Sequence, residues 1–490
     1  MNRFELFRDL KNLVAFSEPY FREHAYNPFQ ISISPLYLEL LRESTLKENK
    51  EASKASGTGM ALLPLKWKLK QIKDHFFHRN NLKSRSGIPP ILFLPVEPTH
   101  LLQFTPVWEA LSKKEEPFFI LTNRMNVFRV LKNDYPVIYL PRKLKIAHAD
   151  EYKKLCAQQN KVILDFEPVN TGNLPLETIQ RLLLVHGAPA WNLCGQLLEI
   201  LEKLKPVSVL PGYDITYEGR LLTSLARDKQ IPTYCIMHGS ITGEPLDTIH
   251  LVDQFFLFGE AAKKDLISKG VSAEQLIVTG APYLDKFEYI QKSIHLALKK
   301  NFALTDSRPY FIIAMSGPGH ATSHAHFQLI LQNLFEVAAD YPEAQWVIKM
   351  HRKDRIENYN EVLAKHKNHR INIIAHESPG FPRSIFQWLQ GATALLTGTS
   401  SVAVEAMSIG VPVITMDFME EFQMVDFIDM GATIHVTDRT QLDLTIRNMI
   451  KSPQVFNEIN ERASVYASQY FFKSEVPAFE NIVSFITSNQ

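Results

Sequence analysis

Charge of either sign is nearly absent in net terms: 53 Lys and Arg stand against 52 Asp and Glu in 490 residues, a formal net charge of +1. A dedicated nucleic-acid binder shows a marked basic excess, so no nucleic-acid partner is expected. Cysteine is scarce. Cys156, Cys194 and Cys235 are odd in number and far apart, which excludes a disulfide framework or a zinc cluster and points to a reducing, cytoplasmic setting. No run of roughly 18 apolar residues occurs, as a membrane-spanning helix would require. The N-terminal MNRFELFRDLKNLVAF is broken by charges and lacks the apolar heart of a signal peptide. Several reactive signatures are also missing: Asp-x-Asp, the Gly-x-Ser-x-Gly nucleophile elbow, His-Glu-x-x-His, the Walker loop, and a dinucleotide fingerprint with three spaced glycines.

What is present is a globular composition, 45% hydrophobic and 21% charged. At about 100–200 residues per domain the length predicts two or three domains. Residues 1–86 read as a polar, helical extension. Within it, 61–85 carry seven Lys and Arg against one acid, interleaved with Trp67, Phe76, Phe77 and several leucines. Such a stretch suits an anionic membrane surface, and it equally suits a solvated helix packed on its own domain.

From residue 88 onward, short continuous apolar runs alternate with helical segments. Runs at 91–96, 118–122, 137–140, 162–166, 207–210, 233–237, 255–258 and 277–279 predict buried parallel strands. The same alternation restarts at 310–315 and continues at 345–350, 371–375, 394–397, 411–415 and 433–436. The expected fold is α/β: two Rossmann-like, doubly wound domains at 87–285 and 307–490, joined by a linker at 286–306 and facing a cleft.

Candidate functional residues gather where predicted strands end. LLTGTSSVAVEAMSIG at 395–410 ends a strand at Thr397, turns at Gly398, and offers Thr399, Ser400 and Ser401 before a helix carrying Glu405. The hydroxyls and backbone N–H groups suit an anion and Glu405 a ribose; a capped helix without ligand reads the same way. Ser316, Gly317, Gly319 and His320 form a second loop through which backbone can approach phosphate closely. Lys349, His351 and Arg352 supply cations at a third strand end, or merely a solvated basic turn. In the first half, His238 follows the 233–237 strand as a candidate general base. Asp214 lies on a neighbouring loop, and Glu97 and His100 follow the first strand. The cluster His320, His324 and His326 lacks acidic or sulfur companions in sequence, so no metal site is expected.

These residues give the chain a resemblance to the GT-B glycosyltransferase superfamily, in particular to bacterial enzymes of surface polysaccharides. It spans about 88–490 and rests on IMHGS, FLFGEAAKKDLISKGVSAEQLIVTGAPYLD, KMHRKD and LLTGTSSVAVEAMSIGVPVI. The resemblance implies a glycosyltransferase moving a sugar from a nucleotide-activated donor to a glycan or lipid-linked acceptor, with no metal and no cofactor. It implicates His238 in catalysis, sets His351 at the usual His-Pro position and matches Ser400 and Ser401 to serines that contact donor phosphate. With the strand-end loops, the candidates are Asp214, His238 and His351 for catalysis, and Ser316, Gly317, Gly319, His320, Lys349, Arg352, Thr399, Ser400, Ser401 and Glu405 for donor binding. Glu97 and His100 fall on the acceptor side. A final helix near 464–472 is expected to cross back towards the first domain. His351-Arg352 departs from that superfamily's usual His-Pro. Two alternatives share the architecture: a CDP-polyol phosphotransferase of teichoic-acid type, and a non-hydrolysing UDP-sugar 2-epimerase. Those epimerases carry Glu-Ala-Gly where this chain has His238-Gly239-Ser240, a difference that counts against epimerase activity.

Overall fold

The computed structural model describes the chain except residues 1–2, 23, 25, 49–87, 98–99, 142–145, 147, 171, 173, 239–244, 286–292, 316, 319–321, 352–353, 368–369, 376–377, 379, 383, 423–425, 473 and 489–490. The basic stretch 61–85, Gly239, Ser240, Ser316, Gly319, His320 and Arg352 lie outside the described residues. The chain divides into two compact units. One comprises 1–258, 262–285 and 474–490, the other 259–261 and 286–473.

The first unit is built on parallel strands whose apolar runs are buried on both faces. β1 (Ile91–Leu94), β2 (Phe118–Thr122), β3 (Val137–Tyr139) and β4 (Ser208–Pro211) pair in the order β3-β2-β1-β4. β5 (Tyr234–Ile236), β6 (Gln254–Leu257) and β7 (Leu276–Val278) follow in that order. A parallel bridge from Val209 to Thr233 carries β4 onto β5. β1 thus pairs with β2 on one side and β4 on the other, and the winding direction reverses between β1 and β4. That reversal is the switch point at which doubly wound sheets bind ligands, beyond the carboxyl ends of the strands.

The second unit repeats the plan. β8 (Tyr310–Ile313), β9 (Gln345–Lys349), β10 (Ile371–Ile374), β11 (Ala394–Thr397), β12 (Val413–Met416) and β13 (Ile434–Val436) form one parallel sheet ordered β10-β9-β8-β11-β12-β13. Its switch point lies between β8 and β11. Trp346 on β9 stacks on Phe311 of β8 at 4.6 Å between ring centroids, deep in that core. This is the α/β, GT-B-type architecture expected from the alternating pattern.

Three expectations need correction. Residues 162–166 are not a strand; they end the helix Ala149–Phe166, because their buried members Val162, Ile163 and Phe166 repeat at helical spacing with Leu155 and Gln159. The N-terminal helices Arg3–Ser17 and Pro28–Glu48 are integral to the first unit, since Leu6, Phe29 and Ile31 share a core with Leu182 and Leu193. The helix around 464–472 is Asn457–Tyr470, part of the second unit. The returning helix is Ala478–Thr487, in the first. Its N-terminus has no cap of its own and borrows one: Phe479 N–H donates to Asp285 Oδ2 at 3.0 Å.

Candidate functional site

At the switch point of the first unit, β1 and β4 deliver their loops side by side. His100 opens the helix His100–Lys113 and is buried, at 2% exposure. Val96 N–H donates to its Nδ1 at 3.2 Å, so the ring's hydrogen sits on Nε2. Burial, with His238 adding to it, pulls the His100 pKa down to about 3, which leaves the ring neutral near pH 7. The β4 loop passes so close that a Cβ on Gly212 would lie 2.2 Å from His100 Nδ1. Glycine is therefore required there for space. His238, half-buried after β5, presents its ring between His100, 4.9 Å away and edge-on, and Tyr213, 4.1 Å away.

Asp214 occupies the same loop but faces inward. It is fully buried, its Oδ1 lies 2.5 Å from His250 Nδ1, and its Oδ2 accepts from the N–H groups of Leu251 at 2.6 Å and Val252 at 3.1 Å. Burial pushes its carboxyl up, but His250, Arg220 and the Leu251 N–H together outweigh this and hold it below the usual range. A general base needs a lone pair turned towards substrate. Both Asp214 oxygens are committed within the fold, so the catalytic reading of this residue is replaced by a positioning one. It anchors 250–252 beneath the site. Glu97 is exposed beyond β1, and its carbonyl accepts from His100 N–H.

Beside this cluster, Glu218 sits in the first turn of the helix Tyr217–Asp228, whose N-cap is Thr216. The buried Glu218 carboxylate accepts from Arg124 Nη2 at 2.6 Å and Asn123 Nδ2 at 3.3 Å, both just past β2. Arg220 is buried too. It donates to the carbonyls of Gln30 and Ile249, which ties the N-terminal helix to the loop that carries His250. Burial lowers its pKa to about 10.

At the carboxyl edge of the second sheet, Lys349 ends β9 with its ammonium 5.9 Å over the Trp388 ring. Burial lowers its pKa, and the nearby Glu405 opposes that shift. Lys349 and Glu405 are thus brought together, as a cation and a carboxylate flanking the turn after β11. Thr399 and Ser400 are half-buried and Ser401 is exposed. Ser400 Oγ accepts from Val402 N–H, whereas Ser401 makes no side-chain capping bond. Gly317 adopts φ +77°, and a Cβ there would lie 2.8 Å from the Asp354 carboxylate. Asp354 in turn accepts from Asn358 and Tyr359 and donates its N–H to the His351 carbonyl, fixing the loop in which His351 is half-buried.

His326 is sequestered. Its Nδ1 lies 3.0 Å from Glu421 Oε2, and its Nε2 lies 3.6 Å from Asp417. Among the described residues, no group of three or more His, Cys, Asp or Glu is arranged to hold a metal ion. No helix among them is long and apolar enough to cross a membrane.

Several members of these clusters have no signal in sequence. His250 is 36 residues from Asp214, and Glu421 belongs to an unremarkable acidic run. Tyr213, adjacent to Asp214 in Pro-Gly-Tyr-Asp, and Asp354, which closes KMHRKD, lie within reach of the sequence.

Residues 248–470 match the family model described as UDP-N-acetylglucosamine 2-epimerase. No curated protein matches the sequence. Solved structures of the same fold include the UDP-GlcNAc 2-epimerase of Methanocaldococcus jannaschii, 17% identical with a TM-score of 0.54, covering 82% of this chain and 100% of the other. The Neisseria meningitidis UDP-GlcNAc 2-epimerase, solved bound to UDP-GlcNAc, is 16% identical with a TM-score of 0.51, covering 81% and 100%. These likenesses establish a GT-B-type fold. The family match corrects the expectation of a polysaccharide glycosyltransferase, together with its capsule and lipopolysaccharide setting: the resembling segments at 256–285 and 395–414 fall inside a stretch matched by an epimerase model.

Proposed function

We propose that this protein is a nucleotide-sugar 2-epimerase that acts on a UDP-N-acetylhexosamine without any acceptor. The observation that carries the reading is the match of 248–470 to the epimerase family model. The match includes β6, β7 and all six strands of the second sheet. The nucleotide sugar enters as substrate, and neither a metal nor a cofactor is called for.

The chemistry follows from the substrate. A C2 hydrogen beside an anomeric carbon is not acidic enough for a base to remove alone. Loss of the nucleoside diphosphate from C1 makes removal possible: the base takes the C2 proton, the C1–O bond breaks, and a C1=C2 double bond forms. Return of the nucleotide to C1, with a proton delivered to the opposite face of C2, gives the epimer with all atoms balanced. An oxidative route would need a nicotinamide, and the chain lacks the three-glycine fingerprint of a dinucleotide site.

His238 is the group we assign to proton transfer, held between neutral His100 and Tyr213. The chain departs here from the Glu-Ala-Gly of those epimerases, so the assignment rests on the ring's placement and on the titration of imidazole near neutrality. On the nucleotide side, Lys349 meets phosphate charge with Thr399, Ser400 and Ser401 beside it, and Glu405 accepts from ribose hydroxyls. Incubating the protein with UDP-N-acetylglucosamine alone, then separating the products, tests the reading. Formation of the C2 epimer supports it; a sugar nucleotide left intact until an acceptor is supplied overturns it.

A further inference from the structure

The nucleotide reading leaves unused a buried polar cluster at the carboxyl edge of the second sheet. His326 lies in the first turn of the helix His324–Asp340, and its side chain has 0% exposure. Glu421 can only accept, so His326 Nδ1 carries the hydrogen in their 3.0 Å contact. Glu421 also accepts from the N–H and the hydroxyl of Ser323, the residue that caps the same helix. Asp417, immediately after β12, receives the N–H groups of Glu421 at 2.8 Å and Phe422 at 3.1 Å. Its Oδ1 lies 3.6 Å from His326 Nε2, an atom with no hydrogen-bond partner. His435, one-third exposed on β13, faces Asp417 from the far side at 3.8 Å.

These contacts join three loops. The helix that follows β8 grips the 417–422 loop after β12, and Phe422 in that loop lies against the turn after β11. A Cβ on Gly398 would sit 2.9 Å from Phe422 Cζ, and the Phe422 ring is 5.2 Å from the His326 ring. The His326 imidazole is the member that touches the others on two sides.

We infer that His326 is a positioning residue for nucleotide binding: through Glu421 and Asp417 it seats Phe422 on Gly398 and so sets the shape of the 398–401 turn. The inference rests on the nucleotide-sugar reading and goes beyond it by naming what holds the turn. A buried, doubly flanked imidazole costs the fold more than an apolar residue of like volume. Its presence is explained if it fixes loop geometry rather than bulk stability.

The test uses the full-length protein and UDP as probe, with calorimetric titration and amide hydrogen exchange in parallel. His326→Ala is expected to weaken UDP binding at least tenfold and to accelerate exchange at the Glu421 and Phe422 amides. His326→Asn, whose amide can donate to Glu421, is expected to restore both to within threefold of wild type, which loss of packing alone would not permit. Should His326→Ala fail to fold, Phe422→Ala carries the test, since it leaves the buried pairs intact and is expected to weaken UDP at least tenfold.

Wild-type UDP affinity in a folded His326→Ala or Phe422→Ala protein overturns the inference. The two readings fail differently. Absence of UDP binding by the wild-type protein removes the nucleotide reading and, with it, the ligand of this inference. Unchanged exchange at 417–422 in folded His326→Ala removes the brace alone.

Discussion

His100, Asp214 and His238 differ in what burial has done to them, and that difference sorts their roles. His100 is neutral because a charged imidazole cannot be solvated where it sits. With its folded pKa near 3 against an ordinary value of 6.5, the unfolded chain binds the extra proton first on acidification. Its contribution to stability is therefore complete above about pH 6.5 and falls by about 1.4 kcal/mol per pH unit below that, down to about pH 3. Replacing His100 by Gln is expected to flatten this slope, measured by urea unfolding between pH 4 and 7. Asp214 has the same sign for a different reason. Its folded pKa is depressed, so its contribution is present above the ordinary carboxylate range and is lost as pH falls through it. Asp214→Asn leaves His250 with an altered partner in a buried site, and a loss of about 3–5 kcal/mol is expected from denaturant midpoints. His238 is only half-buried, and His238→Ala is expected to cut kcat by about 10²–10⁴ with a smaller loss of melting temperature than Asp214→Asn. An equal loss of stability and activity would place it with the other two. Sequence reading named all three residues because strand ends are legible. It could not separate them, because burial and the partner His250 are products of tertiary folding.

At the scale of elements, apolar runs located almost every strand, and both sheets wind in the order that such runs with intervening helices imply. The failures have a common cause. A four- or five-residue apolar run in a long helix resembles a buried strand until its spacing is weighed, and 162–166 shows this. Asp285 closes one of the segments that carry the resemblance, but its physical purpose was not legible there: it caps the helix Ala478–Thr487, nearly 200 residues downstream. Removing that cap with Asp285→Ala is expected to cost about 1 kcal/mol. Hydrogen exchange in 478–487 should rise well before exchange in the β1–β4 core. Uniform loss of protection in both would show that the helix is not separately pinned. Gly212→Ala is expected to be more damaging, since a methyl group 2.2 Å from His100 Nδ1 must displace the β4 loop or the imidazole beneath it.

Over the whole molecule, two units of one winding plan place two loop clusters at the carboxyl edges of two sheets. One cluster is rich in imidazole and aromatic rings, the other in a cation, hydroxyls and a carboxylate. The near-zero net charge conceals this division, because a chain total of 53 Lys and Arg against 52 Asp and Glu says nothing of where those charges lie. The fold was readable from sequence because hydrophobic periodicity is local. The activity was not, because the segments that carry the resemblance to glycosyltransferases at 256–285 and 395–414 lie inside the stretch matched by an epimerase model. Incubating the protein with UDP-N-acetylglucosamine in D₂O, with no acceptor present, and following the sugar C2 position by proton NMR measures removal of the C2 proton directly. The 2-epimer is expected to appear with deuterium at C2. An unchanged C2–H signal over many expected turnovers, or consumption of the sugar nucleotide only once an acceptor is added, would contradict the epimerase reading.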